Sequence, residues 1–99
     1  MILTNHKVLI KATDAVKCVE TGLLPNMGKI VLHVKTPKKV ELQISTSMDG
    51  KDYIKVTHQK FDKGVAAIDL SEDILFTWLK VETHKADTGC EVTLCHGGR

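Results

Sequence analysis

Hydrophobic and polar residues alternate along most of this chain, in short segments that turn residues separate. In Lys29–Lys35, aliphatic residues occupy every second position, and Lys or His occupies most of the others. Alternation with a period of two is typical of a β-strand with one buried face. The pattern predicts eight strands: His6–Ala12, Ala15–Glu20, Lys29–Lys35, Val40–Thr46, one strand after the Asp49-Gly50 turn, Gly64–Leu70, Thr77–His84 and Cys90–Cys95.

The same alternation predicts which side chains share a face. Val8 and Ile10 are expected on one face of the first strand. Cys90 and Cys95 are separated by an odd number of residues, so they are expected on opposite faces of the last strand and should not form a disulfide with each other. With Cys18 the chain has three cysteines, an odd number that is unusual in a secreted disulfide scaffold.

The most informative turn is Asp49-Gly50. This dipeptide supplies the residue with positive φ that a tight hairpin turn needs, so the two flanking strands are expected to fold back on each other. Asp49 and Asp52 also offer carboxylate oxygens of the kind that bind Ca²⁺. The alternative is that Asp49 stabilises the turn and Asp52 is solvated, and this interpretation is favoured.

Eight short strands without a long helical pattern predict an all-β fold, an antiparallel, jelly-roll-like β-sandwich. Composition supports this, because Val, Ile and Thr together number 27 whereas Ala numbers 5. A chain of 99 residues is expected to form a single domain, 1–99. Within it, residues 1–5 are expected to form an N-terminal arm and residues 97–99 a flexible tail.

Charge and hydropathy exclude several classes of partner. The 14 basic and 12 acidic residues give a formal net charge of +2, and the only arginine is Arg99, so nucleic acid is not an expected partner. No apolar run approaches the roughly 20 residues that cross a membrane, so no membrane partner is expected either. The first residues lack the order of segments found in a secretory signal, and we expect synthesis and folding in the cytoplasm.

Chemistry-bearing residues are present without a recognisable arrangement. The cysteines and five histidines show no closely spaced pair of the kind that binds zinc, so no metal or other cofactor is expected. A nucleophile needs a base within reach, and that base needs an orienting partner. No spacing in the chain indicates such a set, and no catalytic residue is predicted.

Two families share motifs with this chain. Ile44–Ser47, Asp49-Gly50, Tyr53 and Val56, with the later strand Trp78–His84, resemble the hairpin and penultimate strand of discoidin-like and other galactose-binding-like jelly rolls. In order and spacing the whole chain resembles the capsid cement (decoration) proteins of tailed bacteriophages more closely. The matching positions of that second resemblance are Gln43, Ser45, Ser47, Asp49, Gly50, Gly64, Asp69, Leu70 and Trp78.

The resemblance implies a structural virion protein. It predicts binding to the major capsid protein on the outside of the shell, localisation at the capsid surface after synthesis in the host cytoplasm, and action as a homo-oligomer, a dimer or a trimer. The alternative is a small carbohydrate-binding or phage tail adhesion module, which needs an exposed aromatic platform. Tyr53 and Trp78 are the candidates for that platform.

Apolar residues outside the strands are the candidate contacts with a protein partner. Ile2 and Leu3 are more apolar than a free terminus needs, and a loop between two predicted strands is equally apolar. An alternative for the loop is that its side chains cap the end of the sandwich. The candidate residues are Ile2, Leu3, Leu23, Leu24, Pro25 and Met27.

Overall fold

The structure is a computed structural model that describes residues 2–13, 18–23, 27–72, 74, 76–83 and 89–98. These residues contain eight β-strands and no helix, and hence no helix long and apolar enough to cross a membrane. The strands are β1 (Asn5–Ile10), β2 (Cys18–Gly22), β3 (Met27–Thr36), β4 (Val40–Ser47), β5 (Ile54–Phe61), β6 (Gly64–Asp69), β7 (Trp78–Thr83) and β8 (Glu91–Gly98).

The strands form two antiparallel sheets of four. Sheet A has the order β1-β8-β3-β6, and sheet B has the order β2-β7-β4-β5. The Lys7 ammonium on β1 donates a hydrogen bond to the Thr21 hydroxyl on β2 over 2.8 Å, so these two edge strands face each other across the sandwich. The predicted fold class, an all-β antiparallel β-sandwich of eight strands, is confirmed.

The core consists of the side chains that point inward from both sheets. On β3, Leu32 and Val34 are buried, and their neighbours on the adjacent strands, such as Leu94 on β8, are buried too. Removing a Leu or Val side chain from water stabilises the fold by roughly 1.5–3 kcal/mol. The fully buried apolar residues come from four strands and one loop: Leu32, Val34, Val40, Leu42, Ile44, Leu70, Leu79, Val81, Val92 and Leu94.

The prediction for the first strand is wrong at Val8. The register between β1 and β8 shifts between Val8 and Ile10, which marks a β-bulge. A bulge adds one residue to one strand and so changes the alternation of faces. As a result Leu9 and Ile10 are both buried, whereas Val8 is exposed.

Both chain ends take more part in the sheet than the sequence indicated. Asn5, expected in a terminal arm, begins β1 and pairs with His96. Gly97 and Gly98, expected in a flexible tail, continue β8, because β3 begins at Met27 and offers them a partner. A side chain at Gly28 would bring its Cβ within 2.8 Å of the Gly97 carbonyl oxygen, so glycine permits this close approach.

Candidate functional site

The topology gathers several connections at one end of the sandwich. Strands β2 and β3, β4 and β5, and β6 and β7 are joined there, and β1 begins there. The register shows this directly in sheet B, because Gly22, Trp78 and Ser47 lie side by side on β2, β7 and β4. We call this the apolar end, and its described residues are 2–4, Leu23, Met27, 48–54, 70–72, 74 and 76–78.

Exposed hydrophobic side chains are concentrated at the apolar end. Among the described residues, six large hydrophobic side chains are exposed. Four of them lie at the apolar end, and Val8 and Val65 lie on sheet A away from it. Single exposed hydrophobic residues are normal, and several of them at one end of a domain make that end a candidate interaction surface. The four at the apolar end, with their exposed fractions, are Ile2 (85%), Met48 (74%), Ile54 (61%) and Trp78 (36%).

The opposite end of the sandwich has a different character. It carries the turn between β3 and β4, the turn between β5 and β6, and the end of β1. Lysines dominate its exposed surface, namely Lys11, Lys35, Lys38, Lys39, Lys60 and Lys63. The molecule therefore presents two unlike ends, one apolar and one basic.

The structure places the predicted contact residues at the apolar end but buries several of them in part. Ile2 is fully accessible, and Leu3 is half-buried. Leu23 and Met27 are also half-buried and pack against the core, which supports the capping interpretation for these two. Leu24 and Pro25 lie outside the described residues.

Three residues of the apolar end, Met48, Ile54 and Trp78, were not among the predicted contacts. Ile54 shows why the sequence is insufficient, because it pairs with Thr46, whose side chain is buried. The high exposure of Ile54 means that sheet A does not cover the beginning of β5. The only signal in the sequence was the position of Met48 and Ile54 on either side of the predicted hairpin turn.

A compact set of hydrogen bonds holds the hairpin at this end. The Ser47 hydroxyl donates to Asp49 Oδ1 over 2.8 Å and accepts from the backbone N–H groups of Asp49 and Gly50 at 3.2 and 3.0 Å. The same Oδ1 atom accepts from the backbone N–H groups of Lys51 and Asp52 at 2.9 and 3.0 Å. Asp49 thus has the turn-stabilising role, in which its carboxylate is a local acceptor.

These donors make the hairpin sensitive to acid. The backbone N–H groups of Asp52 and Lys51, followed by the Ser47 hydroxyl, lower the pKa of Asp49 to about 2. A group whose pKa is lower in the folded state adds stability above its unfolded pKa, and this contribution disappears as the pH falls through the folded value. Asp49→Asn is therefore expected to be less stable than the parent at pH 7, with a difference that shrinks between about pH 4 and pH 2.

Urea unfolding at a series of pH values measures this difference. Asp52→Asn is the matched control, because it makes the same charge change at an exposed side chain of the same turn. A gap between Asp49→Asn and the parent that stays constant from pH 7 to pH 2 would contradict the assigned role of Asp49.

Trp78 is held against the hairpin. Gly50 has a φ of 77°, the left-handed conformation predicted for the turn. A Cβ at this position would lie 3.0 to 3.3 Å from atoms of the Trp78 indole, so the ring packs directly on the glycine. The Trp78 carbonyl also accepts a hydrogen bond from the Thr46 hydroxyl at 3.0 Å. This aromatic side chain is partly exposed and at the same time fixed in position.

Tyr53 is adjacent to the hairpin but is less accessible. The Lys80 ammonium lies 4.4 Å from the centre of the Tyr53 ring, a cation–π contact. The Tyr53 hydroxyl is buried near the Glu20 carboxylate. Burial raises the pKa of Tyr53, and the Glu20 carboxylate raises it further. Tyr53 therefore stays neutral and is largely a supporting residue.

The described residues offer little reactive chemistry. They contain no group of three or more His, Cys, Asp or Glu side chains placed to hold a metal ion. None of the three cysteines is in a disulfide, and burial raises the pKa of each thiol, with a further contribution from Glu82 at Cys18. The thiol form is a weak nucleophile and a weak ligand, so these cysteines behave as ordinary small side chains.

Comparison of the chain with protein-family models, with curated proteins and with solved structures gave no match. The fold defines the protein as a small antiparallel β-sandwich with one apolar end. Its resemblance to phage capsid decoration proteins stays a prediction.

Proposed function

We propose that the protein is a capsid decoration protein that binds the outside of a bacteriophage shell through its apolar end. The observation that carries the proposal is the concentration of Ile2, Met48, Ile54 and Trp78 at one end of a rigid sandwich. Trp78 is the expected anchor, because tryptophan is enriched among residues that dominate binding energy and this ring is already fixed against Gly50.

The small size of the molecule supports a function in which many copies act together. The molecule measures 34 × 32 × 20 Å, so one end offers roughly 600 Å², less than the about 800 Å² per partner of a standard protein interface. A single contact of this area is weak. Repetition of such contacts over a shell, where one subunit bridges neighbouring capsid proteins, adds stability through multivalency.

The proposal assigns the major capsid protein as partner and the capsid surface as location, reached after synthesis in the host cytoplasm. The basic end then faces away from the shell. No chemical step is part of this function, which consists of adding buried area between shell subunits.

Binding to expanded, undecorated shells tests the proposal. The shells are assembled from the major capsid proteins of tailed bacteriophages. We expect stoichiometric binding and a higher rupture temperature of the shell. Ile54→Asp is expected to weaken binding at least about tenfold, because a charge would be buried at the contact. Val8→Asp, at an exposed residue of β1 away from the apolar end, is the matched control and should bind like the parent.

Absence of binding by the parent protein would refute the proposal, and equal loss in both variants would refute the assignment of the apolar end. A carbohydrate-binding or tail adhesion module is the second candidate, because the hairpin brings Trp78 and Tyr53 to the same end. A glycan array hit that Trp78→Ala abolishes would favour this candidate.

A further inference from the structure

Four strands form the edges of the two sheets, and three of them carry features that prevent pairing with another chain. Proteins protect edges with charged side chains, bulges or short strands. β1 contains Lys7 and a bulge. β5 contains Lys55 and Lys60, and its register with β4 shifts between Lys55 and Thr57. β2 has five residues, one of them Glu20.

Edge strand β6 has no bulge, and its only charged residue, Asp69, is the last one of the strand. It runs Gly-Val-Ala-Ala-Ile-Asp, pairs with β3 in continuous register, and has no charge between Val65 and Ile68. Val65 is 63% exposed, and Ala67, on the same outer face, is exposed as well. This unprotected edge is accessible to another strand.

The hydrogen bonds show which backbone groups of β6 are available. The Leu70 N–H donates to the Ile30 carbonyl at 2.9 Å, immediately beyond the end of β6. Hydrogen-bonded pairs alternate along an antiparallel ladder, so Ile68 and Ala66 also direct their N–H and C=O groups toward β3. The backbone groups of Val65, Ala67 and Asp69 therefore point away from the sheet.

Opposite charges at the two ends of β6 favour a second copy of the same strand as the partner. Lys63 precedes the strand and Asp69 ends it, and both are exposed. In an antiparallel pair of two β6 strands, placing Ala66 opposite Ala66 of the second copy brings each Lys63 beside the other copy's Asp69. The same register sets Val65 opposite Ala67 of the second copy. The backbone groups of Val65 and Ala67 are the ones that point away from β3. The charge pairing and the available backbone groups therefore select the same register.

We propose that two copies of this chain pair through β6 in antiparallel fashion, with Ala66 on the two-fold axis, so that their A sheets join into one eight-stranded sheet. The pairing closes at a dimer, since β1 at the far edge of sheet A is protected by its bulge and Lys7. The dimer does not depend on the proposed function, because the apolar end takes no part in it.

Sedimentation of the purified protein over a concentration series up to about 1 mM tests for the dimer, and amide hydrogen exchange locates it. We expect the amides of Val65 and Ala67 to become protected only as the dimer forms. Those of Ala66 and Ile68 should be protected at every concentration, because they already bond to β3. A monomer at every concentration, or a dimer without slowed exchange at Ala67, would overturn the proposal.

Variants separate this edge from the rest of the surface. Val65→Lys should abolish the dimer over the same concentration range, whereas Ile54→Lys, at an equally exposed residue of edge strand β5, should leave it intact. Lys63→Glu should weaken the dimer about tenfold by placing two carboxylates together, and Lys55→Glu should not. A dimer that survives Val65→Lys would also overturn the proposal. Shell binding should show the opposite pattern: Ile54→Lys should weaken it, and Val65→Lys should not. The two assays therefore test the dimer and the proposed function independently.

Discussion

Replacement of Leu32 by alanine is expected to lower the free energy of unfolding by about 3 to 5 kcal/mol. Leu32 is fully buried in the middle of β3 and lies between Ile68 on β6 and Leu94 on β8, both buried as well. Because neighbours on both sides belong to paired strands, the surrounding structure has little freedom to fill the cavity. The loss is large against the about 5–15 kcal/mol by which domains of this kind are stable.

Urea unfolding of the parent and the variant measures this effect. Ile54→Ala is the control, since it removes a side chain of similar size from an exposed position, and it should change stability by no more than about 0.5 kcal/mol. A change below about 1 kcal/mol for Leu32→Ala would mean that β3 is not at the centre of the core.

Replacement of Gly50 by alanine is expected to destabilise the protein by about 1–3 kcal/mol and to displace Trp78. Two effects act together here. A φ of 77° is strained for a residue with a side chain, and the new Cβ would lie 3.0 Å from the indole. Trp78 is the only tryptophan, so its fluorescence reports the displacement without interference.

Gly22→Ala is the matched control, because its added Cβ meets nothing within 4 Å. It should leave both stability and fluorescence close to those of the parent. Introducing Gly50→Ala into a Trp78→Ala background removes the steric contact but keeps the backbone strain. A smaller loss in that background would therefore measure the contribution of the ring. An unchanged emission spectrum in Gly50→Ala would contradict the packing of Trp78 on the hairpin.

The strands illustrate what local sequence can predict. The alternation in β3 and β7 identified their buried residues correctly, among them Leu32, Leu79 and Val81, because side-chain direction along a strand is a local property. The Asp-Gly turn was equally local, and Gly50 has the predicted conformation. At β1 the same reasoning failed, because a bulge depends on how the strand pairs with β8 and not on its own residues.

The candidate site was predictable only in part. Ile2 was found because an apolar terminus is visible in the sequence, and it is exposed in the structure. Leu23 and Met27 were found because an apolar loop is visible in the sequence too, but they pack partly against the core. Exposure at Ile54 and Trp78 depends on which elements cover them, and that information lies in residues distant along the chain.

By itself, therefore, the sequence determined the strands, most of their buried faces and the hairpin turn, all of which follow from backbone geometry over a few residues. Only the tertiary structure decided the order of strands in each sheet. That order placed the apolar connections at one end and left β6 as an unprotected edge. The physical reason is that strand pairing satisfies backbone hydrogen bonds and buries side chains between segments far apart in the chain. Alternation within one segment does not specify its partner.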